Sequence, residues 1–244
     1  MKNVVLAAGY ATRLYPLTQN FPKPLLAVGG DTILGRLVAD VDGIKDIDSH
    51  IIVTNHKFAH QFTSWKEAIQ TRCPIHVVDD GTETNETRLG AVKDLLLAME
   101  QCCIDDDMLV AAADNILDFS LEGFVESFKE KGTSMMMCHF ERELVRLQRT
   151  GVIAVDGDMK VLQMQEKPVK PVSHWAVPPF YIYKRSDLAL IRSCLANGCG
   201  ADAPGNLAHY LCGRTEMHAW EMPGRRFDIG SMDSYEEARR MFAQ

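Results

Sequence analysis

The chain has 244 residues, 46% of them hydrophobic and 24% charged, with 26 Lys and Arg against 33 Asp and Glu and a formal net charge of -7. That length suits one large α/β domain, which buries about 70–75% of its unfolded surface and needs neither disulfides nor a structural metal to fold. The acidic balance argues against nucleic acid as the main partner, because nucleic-acid binders carry a basic surface that displaces counterions. Seven cysteines without a CxxC pair or zinc-ligand spacing read as reduced thiols of a cytoplasmic protein. There is no run of 18 apolar residues and no charged-then-apolar leader, so neither a membrane span nor a targeting segment is expected.

Residues 3–7 (NVVLA) form a β-branched apolar run of the kind found in a central parallel strand. A small-residue loop follows at once, Ala8-Gly9-Tyr10-Ala11-Thr12-Arg13. Residues 32–41 read as a helix, 50–54 as a buried strand, 58–69 as a helix and 74–78 as a third strand. Leu89, Val92, Leu96 and Met99 then recur at helical spacing. Residues 107–113 form a fourth apolar strand ending in Asp114-Asn115, and a helix over 121–131 stops at Gly132. Alternation of strand and helix up to about residue 130 predicts a three-layer α/β/α, Rossmann-like sheet that is mostly parallel. The second half reads as mixed. A strand over 134–140 precedes a hairpin of 152–155 and 159–164 around Asp156-Gly157-Asp158. Strands at 176–183 and 217–221 and helices at 204–211 and 234–242 complete it. No repeat or long polar linker divides the chain, so residues 1–244 are read as one domain.

Several residues in this plan stand where ligands bind, outside the carboxyl ends of parallel strands. In the first loop Gly9 permits positive φ and close approach of a ligand, beside the small Ala7, Ala8 and Ala11. Thr12 and Arg13 offer a hydroxyl and a forked cation suited to phosphate. From Met1 to Gly30 there is no Asp or Glu, and Lys23 stands between Pro22 and Pro24 on a stiffened stretch. A tight turn with exposed cations explains the same residues. Asp114 reads equally as a hard-cation ligand or a helix cap, and Asp228 is a second carboxylate of the same kind. Their pairing does not follow from spacing. Glu166-Lys167-Pro168 ends the strand over 159–164, with the two side chains expected on opposite faces. His56 and His60, at i and i+4, lack a third ligand and read as a surface helix face.

Taken as an ordered set, Leu6-Ala7-Ala8-Gly9-Tyr10-Ala11-Thr12-Arg13-Leu14, Pro22-Lys23-Pro24-Leu25, Asp114, Glu166-Lys167-Pro168 and Asp228-Ile229-Gly230 resemble the sugar-1-phosphate nucleotidyltransferases. The resemblance implies that a sugar-1-phosphate oxygen attacks the α-phosphorus of a nucleoside triphosphate and pyrophosphate leaves. It assigns Leu6 to Arg13 to the β- and γ-phosphates, with Arg13 and Lys23 as the catalytic cations and Lys23 at the α-phosphate. Lys167 would anchor the sugar phosphate, Glu166 the sugar hydroxyls, and Asn115 would join them in acceptor binding. Asp114 and Asp228 would hold Mg²⁺, and Gly90 would let the base approach the main chain. On this reading residues up to about 130 form the nucleotide half and the remainder the sugar-phosphate half. Three departures stand out. Ala11 and Ala113 replace glycines of the family pattern, and residues 80–88 replace its Gln-Pro stretch, leaving Asn85 as the residue to read the base. No hexapeptide repeats follow the last helix, so a minimal catalytic unit is expected, with a homo-oligomer left open. Two other readings compete. A cytidylyltransferase for phosphocholine would use Trp175, Phe180, Tyr181 and Tyr183 as an aromatic cage. A non-catalytic sensor or scaffold would be free to lose Lys23 or an aspartate, and all are retained.

Overall fold

The computed structural model describes residues 1–243. In chain order it contains β1 (Lys2–Leu6), β2 (Ala27–Val28), β3 (Asp31–Thr32), α1 (Ile33–Asp42), β4 (Ser49–Thr54), α2 (Ala59–Ala68), β5 (Ile75–Asp79) and α3 (Ala91–Gln101). Next come β6 (Met108–Ala112), β7 (Asn115–Leu117), α4 (Glu122–Lys131), β8 (Ser134–Phe140), α5 (Leu144–Leu147), β9 (Gly151–Val155) and β10 (Val161–Glu166). The chain closes with β11 (Trp175–Val177), β12 (Phe180–Tyr183), α6 (Leu188–Ser193), α7 (Pro204–Cys212), β13 (Met217–Glu221), β14 (Arg226–Asp228) and α8 (Met232–Met241).

Ten strands share one sheet. Its parallel part runs β5-β4-β1-β6, and β12 enters beside β6 in the opposite sense before β8 and β13 resume the first direction. Side-chain alternation sends Val4 to one face and Val5 to the other. On the Val5 face α1, α2 and α4 pack through Leu34, Phe62 and Phe124; on the Val4 face α3, α6 and α7 pack through Leu95, Ile191 and Leu207. The three-layer arrangement and mixed second half agree with the sequence reading.

Residues 175–183 form two strands rather than one. Both lie along β8, but β11 has β9 as its other neighbour and β12 has β6. The switch falls at Pro178-Pro179, where two residues lack an N–H for a ladder bond. A third cluster, of Leu14, Leu26, Val28, Ile116, Ile229 and Tyr235, pins α8 against the N-terminal loops, and the Tyr235 hydroxyl donates to the Ala27 carbonyl at 3.0 Å. No helix among the described residues is long and apolar enough to cross a membrane.

Asp94 interrupts the apolar face of α3. It is 5% exposed, and its Oδ1 is buried without a hydrogen-bond partner, as is Oδ2 of Asp80 at the end of the neighbouring strand. Burial, reinforced by the Asp80 charge, pushes the Asp94 carboxyl up to about 7. The folded chain therefore holds this proton more tightly than the unfolded chain does. Its penalty is absent below the ordinary carboxylate range, grows as pH rises from there to about 7, and levels off above that at on the order of 4 kcal/mol at most. Asp94→Asn is predicted to raise the melting temperature by several degrees at pH 8 and to leave it nearly unchanged at pH 3, below the ordinary carboxylate range. A lower melting temperature at pH 8 in circular dichroism contradicts this account.

Candidate active site

Strands β1, β4 and β6 finish at the same edge of the sheet, and the loop after β1 is fastened there by main-chain bonds. Ala7 N–H donates to the Val53 carbonyl (2.8 Å), Ala113 N–H to the Leu6 carbonyl (3.1 Å), and Asn55 Nδ2 to the Ala8 carbonyl (3.0 Å). Ala7 and Ala8 are buried, whereas Gly9 is exposed and a Cβ placed on it meets nothing within 4 Å. The positive φ expected at Gly9 falls instead on Ala11 (φ 47°), where a non-glycine residue costs about 1–2 kcal/mol. Thr18 Oγ1 donates to the Ala11 carbonyl at 2.8 Å and so supports that bend. Tyr10 is buried with its hydroxyl 3.0 Å from Thr82 Oγ1, and Thr12 and Arg13 are exposed on a 3-10 turn. Gly9 thus has no steric reason within the chain to be glycine, and the space over it is free for a ligand.

Lys23 opens a second 3-10 turn, held between its prolines. Its Nζ donates to Asp114 Oδ2 at 2.8 Å and to the Ile229 carbonyl at 2.9 Å. Burial works against charge on Asp114, but the Lys23 ammonium outweighs it and holds the carboxyl below its ordinary range. Short β7 pairs with β14 in a register that sets Asp228 opposite Asn115, and Ile229 N–H donates to the Asp114 carbonyl at 3.0 Å. Two carboxylates far apart in sequence therefore come to one place. Asn115 joins them, donating from Nδ2 to Asp114 Oδ1 (2.7 Å) and accepting at Oδ1 from Arg226 Nη1 (2.5 Å). The same Nη1 lies 3.6 Å from Asp228 Oδ2.

This network borders a cavity of about 870 Å³ whose walls include Asp114, Asn115, Glu166, Lys167, Arg226 and Asp228. Glu166 lies against two glycines. A Cβ on Gly205 would stand 2.0 Å from Glu166 Oε2, and one on Gly151 would stand 3.3 Å from it. Burial pushes the Glu166 carboxyl up, against the pull of Lys167. The expectation that Glu166 and Lys167 face opposite ways is not met. Strand β10 ends at Glu166, Lys167 adopts a left-handed conformation (φ 47°), and its Nζ turns back to 3.7 Å from Glu166 Oε1.

Other expected residues stand apart from the cavity walls: the loop Leu6 to Arg13, Lys23, Asn85 and Gly90. Gly90 (φ 92°) has a reason internal to the fold, since a Cβ there would meet the Ala201 carbonyl oxygen at 2.7 Å. Asn85 is half-buried in the loop that Thr82 ties to Tyr10, and its carbonyl accepts from Arg88 Nη1 at 3.0 Å. The proposed choline cage does not form. Phe180 and Tyr183 are buried in the sheet, Tyr181 stacks on Tyr183 as a buried part of the cavity wall, and Trp175 stands edge-on to Phe140, outside the cavity walls. His56 is an exposed side chain paired with Asp79 at 2.6 Å. Among the described residues Asp42, His50 and Cys73 are close enough to share a metal. Their atoms are already hydrogen-bonded to Asn3, Ile47 and main-chain N–H groups, which makes them a structural staple. Sequence reasoning missed Arg226, Gly151, Gly205 and the cavity-lining His139. A lone polar residue ending the apolar run of β8 was the available signal for His139.

The model of the nucleotidyl transferase family matches residues 2–244. The bifunctional protein GlmU of Methanocaldococcus jannaschii is 25% identical over 241 residues, which cover 96% of this chain and 54% of that protein. The UTP–glucose-1-phosphate uridylyltransferase AglF of Haloferax volcanii is 26% identical over 258 residues, covering 98% of this chain and 96% of that one. The chain spans 38% and 54% of the two GlmU proteins it matches. Among solved structures, a UDP-glucose pyrophosphorylase complexed with UDP-glucose superposes with a TM-score of 0.82 at 20% identity, covering 99% of this chain and 97% of that one.

The depressed carboxyl of Asp114 gives a direct test of the ion pair. A carboxylate with a lowered folded pKa contributes stability that is present above its unfolded value and lost as pH falls through the folded one. Lys23→Met is expected to move the Asp114 titration upward in ¹³C NMR. The loss in melting temperature relative to wild type should be largest near pH 7 and vanish in strong acid. An unmoved titration contradicts the assignment.

Proposed function

Because the chain belongs to the nucleotidyl transferase family, we propose that it transfers a nucleoside monophosphate from a nucleoside triphosphate to a sugar 1-phosphate and releases pyrophosphate. The observation that carries this reading is the network Lys23–Asp114–Asn115–Arg226–Asp228, which opens on a cavity bearing Glu166 and Lys167. The name of the AglF relative, a glucose-1-phosphate uridylyltransferase, supports a sugar 1-phosphate as acceptor.

Transfer of this kind asks the protein to position two anions and neutralise their charge. The main chain over the exposed Gly9, with Arg13, takes the β- and γ-phosphates that leave as pyrophosphate. Lys23 exchanges part of its contact with Asp114 for the α-phosphate, and Lys167 holds the incoming phosphate. Glu166 accepts from sugar hydroxyls, and the glycines around it keep its carboxylate in place. The donor set at Asp114 and Asp228 is carboxylate oxygen alone, without thiol or imidazole, and Lys23 keeps Asp114 ionised, which fits a hard divalent cation. Mg²⁺ held by these two residues would neutralise phosphate charge at the meeting point of the substrates. Seven unpaired cysteines suit a reducing compartment such as the cytoplasm.

The test is pyrophosphate release from the five common nucleoside triphosphates, each with glucose, galactose or mannose 1-phosphate or with phosphocholine, with and without Mg²⁺. Release from one matched pair, dependent on metal, is expected; no release from folded protein sinks the reading. Asp228→Asn should lower turnover by about 100-fold or more, and unchanged turnover removes it from the site. Gly205→Ala displaces the Glu166 carboxylate, so the acceptor KM should rise while the triphosphate KM stays constant. Equal changes in both would contradict the role given to Glu166.

A further inference from the structure

We infer that His139 is a specificity-determining residue that donates a hydrogen bond from Nε2 to an acceptor oxygen remote from the transferred phosphate. The inference rests on the acceptor reading of the cavity above. His139 is the penultimate residue of β8 and one of the cavity walls. In the register with β11 it faces Ala176, also a wall residue, so a small side chain leaves room beside the ring. Its Nδ1 is buried and has no hydrogen-bond partner among the described residues. By contrast, Nδ1 of His50, His56, His174, His209 and His218 engages a partner within the fold, and His60 and His76 are exposed to solvent.

The tautomer follows from that asymmetry. An orphaned buried N–H is rarer in native proteins than an orphaned acceptor, so the sealed Nδ1 carries the lone pair and the proton sits on Nε2. Burial, and then the positive charges of Arg226 and Arg146, lower the imidazole pKa against the opposing charge of Glu141. The ring is therefore a neutral donor. Glu166 in the same cavity is an acceptor when ionised. A polyol, whose hydroxyls both give and take hydrogen bonds, satisfies the two groups together; a trimethylammonium head satisfies neither the His139 donor nor its geometry.

A fold-stabilising role would need partners that the ring does not have, so the two roles separate experimentally. His139→Phe keeps an aromatic ring and removes both nitrogens, whereas His139→Gln restores an N–H donor near the place of Nε2. With the acceptor panel above, His139→Phe should raise the KM for the preferred sugar 1-phosphate about 10- to 100-fold. The triphosphate KM should stay within about twofold and the melting temperature should not fall. His139→Gln should recover most of the acceptor KM. Wild-type turnover with an unchanged acceptor KM in His139→Phe overturns the inference alone. Turnover confined to phosphocholine, whose head offers no oxygen beyond its phosphate, also overturns it while nucleotidyl transfer stands. A wild-type chain that turns over none of the acceptors overturns the acceptor reading and this inference with it.

Discussion

Three stretches of chain meet at the ammonium of Lys23. It bonds to a carboxylate 91 positions away and a carbonyl 206 positions away, so one side chain joins the N-terminal loop, the end of β6 and the turn after β14. A part-buried cation of this kind is costly unless it is paired and hydrogen-bonded, and here it is both. The apolar cluster of Leu14, Leu26, Ile116, Ile229 and Tyr235 lies beneath the same junction and holds its three parts at fixed spacing. Arg226, Asn115 and Asp228 then take their positions from a ribbon only three residues long on each strand. The charged layer and the apolar layer depend on each other: the packing holds the ion pair together, and without Lys23 the part-buried Asp114 carboxylate would lose its bonded cation.

Sequence and structure agree best where the signal is local. The apolar runs of β1, β4, β6 and β8 announce buried strands, and their observed bounds fall within a residue or two of the expected ones. Gly132 ends α4 in a left-handed conformation, and Pro204 starts α7. Agreement fails where the cause lies far off in the chain. Strands β7 and β14 are too short to carry a periodicity, and each exists because the other is beside it. For that reason spacing could not join Asp114 and Asp228, and only the family resemblance paired them. Positive φ at Ala11 and Lys167 defies local propensity, because β-branching, glycine content and polarity say nothing about a bend imposed by neighbours. His139 was hidden by its surroundings, being one polar residue at the end of SMMMCHF.

The site is also a record of which residues the fold needs for itself. Gly90 is required by the main chain of Ala201, the Asp42–His50–Cys73 staple by the turn beside it, and the aromatics of β12 by the core. Gly9, Arg13 and His139 answer no such internal need. Residues that the fold can do without, gathered at one edge of the sheet, are those to which the proposed function assigns a ligand.

The exchange of partners at Pro178-Pro179 bears on how the polypeptide is made. Strand β6 sits at the open side of the parallel sheet until β12 arrives beside it, roughly seventy residues later in synthesis. Through that interval the nascent chain presents an unpaired, wholly apolar edge, the kind that recruits other strands. The two prolines and the reversed β12 close this edge from within the same molecule. The sheet begun by the first half is therefore completed only by a strand that belongs to the second.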